Sequence, residues 1–170
     1  MRNNVSAANQ ALMDAAKLNE IATRISDVFC NDLLAEPTLV SEPVCHIECH
    51  RTDNPGFVFS TSIGTVRARL KLKPEETKDG AVTGLKASFY FFSIGAEADK
   101  ELLLEYSFDF DVQGRISAAP YLTTYLPFLE KGDEDAKFFR QNVLGELVYR
   151  LAMMVGAGFN PANAKTQAYN

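Results

Sequence analysis

Phe57-Val-Phe-Ser-Thr-Ser-Ile-Gly-Thr-Val-Arg-Ala-Arg-Leu-Lys-Leu-Lys73 is the stretch whose reading decides the fold. Two runs of alternating character meet at Gly64-Thr65, and a glycine followed by a second residue suits a two-residue type II′ loop. That loop would set Ile63 opposite Val66, Thr61 opposite Ala68, Phe59 opposite Leu70 and Phe57 opposite Leu72. Opposed residues share a face. One side is then almost wholly apolar, and the other carries Val58, Ser60, Ser62, Arg67, Arg69 and Lys71. A slip of one residue would exchange the two sets. The hairpin thus belongs to an antiparallel sheet with one covered face and one wet face.

Upstream, Val44-Cys-His-Ile-Glu-Cys-His50 reads as a further strand, and Arg51-Thr-Asp-Asn-Pro-Gly56 as the turn that joins it to the hairpin. Residues 6 to about 35 read as a long helix, with Leu12, Leu18, Ile21, Ile25, Val28, Phe29 and Leu33 recurring at spacings of three and four. Asp14, Lys17, Glu20, Arg24, Asp27 and Asp32 supply its polar side, and Pro37 ends it. Downstream, residues 74–84 are polar and punctuated by glycine, which predicts a loop. Leu85 to Ile94 reads as a strand with aromatics on both faces, Phe89 and Phe91 against Tyr90 and Phe92. A strand apolar on both sides is usually central.

Glu101 to Val112 follows, with Leu102, Leu104, Tyr106, Phe108 and Phe110 on one side. Val112-Gln113-Gly114 suits a three-residue hairpin loop with glycine left-handed, which sets Phe110 opposite Ile116. Residues 115 to about 125 continue as one strand that Pro120 bends or confines to an edge. A second helix is predicted over about 133–155, carried by Phe139, Val143, Leu147, Leu151 and Met154, with Asp133 as its N-cap. The expected architecture is α+β: a two-layer domain with an antiparallel meander sheet of five to six strands, an N-terminal and a C-terminal helix packed on one face. It spans residues 1–158 as a single domain, followed by a flexible polar tail at 159–170.

The chain has 170 residues, 46% hydrophobic and 23% charged, a net charge of −5 and a pI near 5.1. An acidic molecule is no general match for a polyanion, although a local basic stripe could be. Nothing resembles a signal peptide or a membrane span, and Cys30, Cys45 and Cys49 show no disulfide spacing. Cys45 and Cys49 on one strand would lie about 13 Å apart, beyond bridging distance. Reduced thiols in a cytoplasmic setting are the expectation.

Chemistry is invited at one place only. His46, Glu48 and His50 alternate on one face of their strand, the order of a three-ligand metal face, but His46 and His50 would stand about 13 Å apart on a flat strand. Ligands must converge to about 2.1 Å from a zinc ion, so no metal and no cofactor is assigned. No nucleophile elbow, Rossmann fingerprint or phosphate loop accompanies these residues. The wet face is the favoured binding surface, with Arg67, Arg69, Lys71, His46, Glu48 and His50 projecting to solvent. Phe89, Tyr90, Phe91 and Phe92 supply the candidate partner or dimer contact.

The reading that follows is a non-enzymatic protein-binding or adaptor protein, chaperone-like and acting as a homodimer, without a membrane partner. One alternative is a nucleic-acid-binding module on the basic strand Arg67, Arg69, Lys71 and Lys73, whose cations recur about every 7 Å. The other is a small-ligand-binding domain or metal-assisted enzyme at His46, Glu48 and His50.

Overall fold

A computed structural model describes residues 2–35, 48–95, 100–118, 122–132 and 134–156. The elements in order are α1 (Arg2–Ala35), β1 (Glu48–Arg51), β2 (Gly56–Thr61), β3 (Gly64–Glu76), β4 (Val82–Ile94), β5 (Glu101–Phe110), β6 (Arg115–Ala118), β7 (Leu122–Tyr125), α2 (Leu126–Lys131) and α3 (Glu134–Gly156). Every neighbouring strand pair is antiparallel, and the spatial order follows the chain.

The expected flat layer of five to six strands under two helices is corrected. The sheet has seven strands, curls into a half-barrel and is flanked by helices. One cause is the stretch read as a single strand over 115–125. It folds back on itself as β6 and β7, with Ser117 opposite Thr123 and Ala118 opposite Leu122. Pro120 lies outside the described residues, within the connection.

A second cause is an irregularity between β4 and β5. Tyr90 pairs with Ser107, yet Phe92 pairs with Leu103, so β5 carries extra residues across this span. Such a bulge bends its strand and increases the local twist. Glu105 sits inside it with φ 51°, the left-handed region. Because both offsets are even, the faces on either side of the bulge are preserved.

The inner face of the curl carries Phe57, Phe59, Val66, Ala68, Phe89, Phe91, Tyr106, Phe108, Phe110 and Ile116, all buried. From α1, Leu18, Ile21, Ile25 and Phe29 fill it, and Phe139, Val143, Leu147 and Leu151 of α3 close it. Phe29 is the keystone. Its ring stacks on Phe57 at 5.0 Å and also meets Phe108 at 6.2 Å and Phe139 at 6.5 Å. Burying one such side chain contributes about 1.5–3 kcal/mol.

The short α2 stands between the last strand and α3. Pro127 suits its first turn, and Gly132, left-handed at φ 67°, ends it by donating its N–H to the Leu129 carbonyl. Asp133, the expected cap of α3, lies outside the described residues, as does the predicted tail at 159–170.

The organising hairpin is in place with its faces as read, but its turn is not at Gly64-Thr65. Thr61 pairs with Gly64, Phe59 with Val66 and Phe57 with Ala68, so Ser62 and Ile63 form the loop. The Thr61 hydroxyl decides this. It accepts from the Ile63 N–H at 3.2 Å and donates to the Gly64 carbonyl at 2.9 Å, closing the turn from within. The second hairpin matches its reading: Gly114 is left-handed at φ 79° and Phe110 faces Ile116.

Candidate binding surface on the outer face and open edge of the sheet

The registers bring Glu48, Ser60, Thr65, Ile94 and Glu101 into one row across the outer face, and His50, Val58, Arg67, Phe92 and Leu103 into the next. Arg69 faces Tyr90, Lys71 faces Ser88, and Lys73 faces Lys86. Arg67, Arg69, Lys71, Glu48 and His50 are therefore gathered on one face. His46 lies outside the described residues.

His50 Nε2 stands 3.9 Å from Glu48 Oε2, and both side chains are largely exposed. Among the described residues, no three His, Cys, Asp or Glu side chains are grouped to hold a metal.

The basic strand is less free than its sequence implies. Arg67 donates to Glu101 Oε1 at 2.6 Å, and Arg69 approaches Glu101 Oε2 at 2.8 Å. Glu101 is only 12% exposed, so both guanidiniums are held by one sheltered carboxylate. Arg67 is itself half-buried and does not simply project to solvent. Lys73 reaches Asp109 at 3.1 Å, and Asp109 also accepts from the Ser88 hydroxyl. Burial works against the Lys73 ammonium, but its bonds to Asp109 and Tyr90 outweigh this and hold it above the ordinary lysine range. Neither Lys71 nor Lys86 is ion-paired among the described residues.

Of the four candidate contact aromatics, Phe89 and Phe91 are wholly enclosed by the chain's own core. Tyr90 and Phe92 face outward, under cations. The Lys71 and Lys73 ammoniums lie 5.8 and 5.4 Å from the Tyr90 ring centre, and the Arg69 guanidinium lies 5.7 Å from that of Phe92. Each ring thus lends its negative face to a neighbouring cation.

Backbone geometry adds a feature that side-chain alternation does not show. β2 pairs with β3 only as far as Arg69, whereas β3 runs on to Glu76. Among the described residues, no strand pairs with the Leu70–Glu76 edge on that side. Where the edge begins, an open cleft of about 770 Å³ is lined by Arg51, Asp53, Pro55, Arg67, Arg69 and Leu70. Along the edge, Lys71 and Lys73 point outward and Leu72, 37% exposed, points to the other face.

Sequence reasoning missed one further residue. Asp14, assigned to the polar side of the first helix, is buried, and its Oδ2 accepts the Leu85 N–H at 3.2 Å. Its spacing of four from Leu18 on the buried stripe was the available signal. Leu12, counted in that stripe, is 70% exposed.

No family model matches the chain, and no curated protein or solved structure does either. The class defined here is an α+β domain with a curled seven-stranded antiparallel sheet. No described helix is long and apolar enough to cross a membrane.

Proposed function

We propose that the chain is a non-enzymatic protein-binding domain that takes an extended, acidic segment of its partner onto the edge of β3. The carrying observation is the run of β3 past its last β2 partner, from Leu70 to Glu76. An unpaired edge offers backbone donors and acceptors to an added strand, here as far as Lys73 because Pro74 has no N–H, while side-chain sites on alternate faces select its sequence. Lys71 on the outer face favours an acidic residue at the position of the partner that lies beside it. Leu72 on the other face favours an apolar residue at the next position.

The edge Leu-Lys-Leu-Lys-Pro-Glu-Glu carries two cations and two anions, so antiparallel pairing of two copies about a two-fold axis centred on Lys73 would set Lys71 against Glu75. A second copy is therefore the competing occupant of this edge, and a native mass measurement reports which one is bound.

The test uses the isotope-labelled full chain titrated with a synthetic peptide alternating Glu and Val. Amide shifts should concentrate on Leu70–Lys73, and Lys71→Glu should weaken binding about tenfold, mainly through the association rate. Shifts confined to other surfaces would overturn the reading.

A second reading rests on Tyr90 and Phe92 beneath Arg69, Lys71 and Lys73, since rings between cations can stack single-stranded bases. Oligothymidylate that binds this face with affinity falling steeply in salt would favour it.

A further inference from the structure

The nearest pair of reactive side chains in the described structure lies away from this face, where α1 meets β1. Cys30, near the end of α1, and Cys49, the second residue of β1, bring their sulfurs to 3.0 Å. Both are free thiols, 6% and 5% exposed. Their spacing in the sequence gives no hint of the encounter; it follows from packing Phe29 on Phe57 and from pairing Cys49 with Phe59. Three residues before Cys30 and two after Cys49, Asp27 and Arg51 form an ion pair that fixes the same contact from the solvent side.

We propose that Cys30 and Cys49 are a dithiol modification site, oxidised by a hydroperoxide to an intrachain disulfide that fastens the edge strand β1 to α1. A disulfide needs its sulfurs about 2.05 Å apart, so closure asks for about 1 Å of sulfur travel, within side-chain adjustment.

The two sulfurs are not equivalent. With Cys49 as the hydrogen-bond donor, the Cys30 thiol is held below the usual cysteine range despite its burial, and the Cys49 thiol is pushed well above it. Cys30 is accordingly the nucleophile. Its thiolate attacks one peroxide oxygen, the O–O bond breaks, and the departing hydroxide leaves as water with the proton Cys30 gave up. The Cys30 sulfenic acid is then attacked by the Cys49 sulfur. The S–S bond forms, the S–O bond breaks, and the second hydroxide takes the Cys49 proton. Two thiols lose two electrons in total, and hydrogen peroxide is reduced to two waters. A peroxide is small enough to reach sulfurs that a folded protein disulfide could not.

The experiment treats the full chain with hydrogen peroxide, alkylates remaining thiols, and maps cross-linked peptides by mass spectrometry without reduction. Cys45 lies outside the described residues, so the Cys45→Ser variant is run in parallel. The expected result is a Cys30–Cys49 link in both proteins, with a raised thermal midpoint that dithiothreitol reverses. Cys30→Ala, checked for a native circular dichroism spectrum, should form no intrachain link. A link that includes Cys45, a link between chains, or three thiols still alkylatable after peroxide would each overturn the proposal.

Discussion

Tyr106 shows how one buried side chain writes a pH dependence into the whole fold. It is 6% exposed, and the Arg150 guanidinium lies 5.8 Å from its ring centre. Burial and the neighbouring Glu146 carboxylate push its hydroxyl up to about 12, against a smaller opposing effect of Arg150. The neutral phenol is thus the form the fold favours. Below pH 10, where the unfolded phenol is also neutral, the stabilisation is fully present. Between about pH 10 and 12 the unfolded chain ionises first, so stability falls as pH rises. The full effect is on the order of 3 kcal/mol, from about two units at roughly 1.4 kcal/mol each. Urea midpoints measured across pH 9 to 12 should therefore fall less steeply in Tyr106→Phe than in the wild type. Identical alkaline slopes would show that Tyr106 is not the group responsible. Other residues work in pairs: Glu101, sheltered between Arg67 and Arg69, makes two cations of the outer face part of the structure and leaves Lys71 as the accessible charge.

At the scale of elements, the β5 bulge is the departure that shapes the sheet. Glu105 is exposed and left-handed, a conformation that costs a non-glycine residue about 1–2 kcal/mol. Glu105→Gly should raise stability by about 0.5–1 kcal/mol, and Glu105→Val should lower it. A glycine variant less stable than wild type in urea would mean that the side chain contributes something the strain does not outweigh.

Sequence alternation could not reveal this bulge, because Leu104, Tyr106, Phe108 and Phe110 stay on the inner face either way. The same insensitivity explains the first hairpin. The partner of Val66 moved from residue 63 to residue 59, an even displacement, so both faces were legible while the register was not. The second hairpin was legible in full because Gly114 supplies the one backbone conformation its loop demands. The outer-face location of Arg67, Arg69, Lys71, Glu48 and His50 follows from the period of two. The Glu101 clamp, the open edge and the Cys30–Cys49 encounter depend on tertiary placement, which no local period encodes.

Across the whole molecule, apolar cover is uneven. The curl, α1 and α3 enclose the middle of the sheet, while the far ends of β3 and β4 extend past it. Lys73–Glu76 and Val82–Lys86 pair with each other, and β5 joins β4 only from Ala87 onward. Two strands alone are marginal in water. This ribbon is tied to the body by Asp14, itself steadied by Gln10 at 2.7 Å, which accepts the Leu85 N–H. Gly84 lets the carboxylate in: a Cβ there would stand 2.9 Å from Asp14 Oδ2.

Time is where this matters. Amide hydrogens of Thr83–Lys86 should exchange with solvent through a local opening much faster than those of Phe89 and Phe108, which need global unfolding. Asp14→Ala removes a charge-assisted bond of about 1.5–3 kcal/mol and should quicken exchange at Leu85 by at least tenfold. Phe89 should not change beyond any loss of global stability. Gly84→Ala, by displacing the same carboxylate, should reproduce the acceleration, whereas uniform acceleration across the sheet would mean that the ribbon and the core open together. The β3 edge beyond Lys73 is a strand only while this ribbon is closed, so the share of time in which its docking template exists would be set inside the protein, by one carboxylate on a helix.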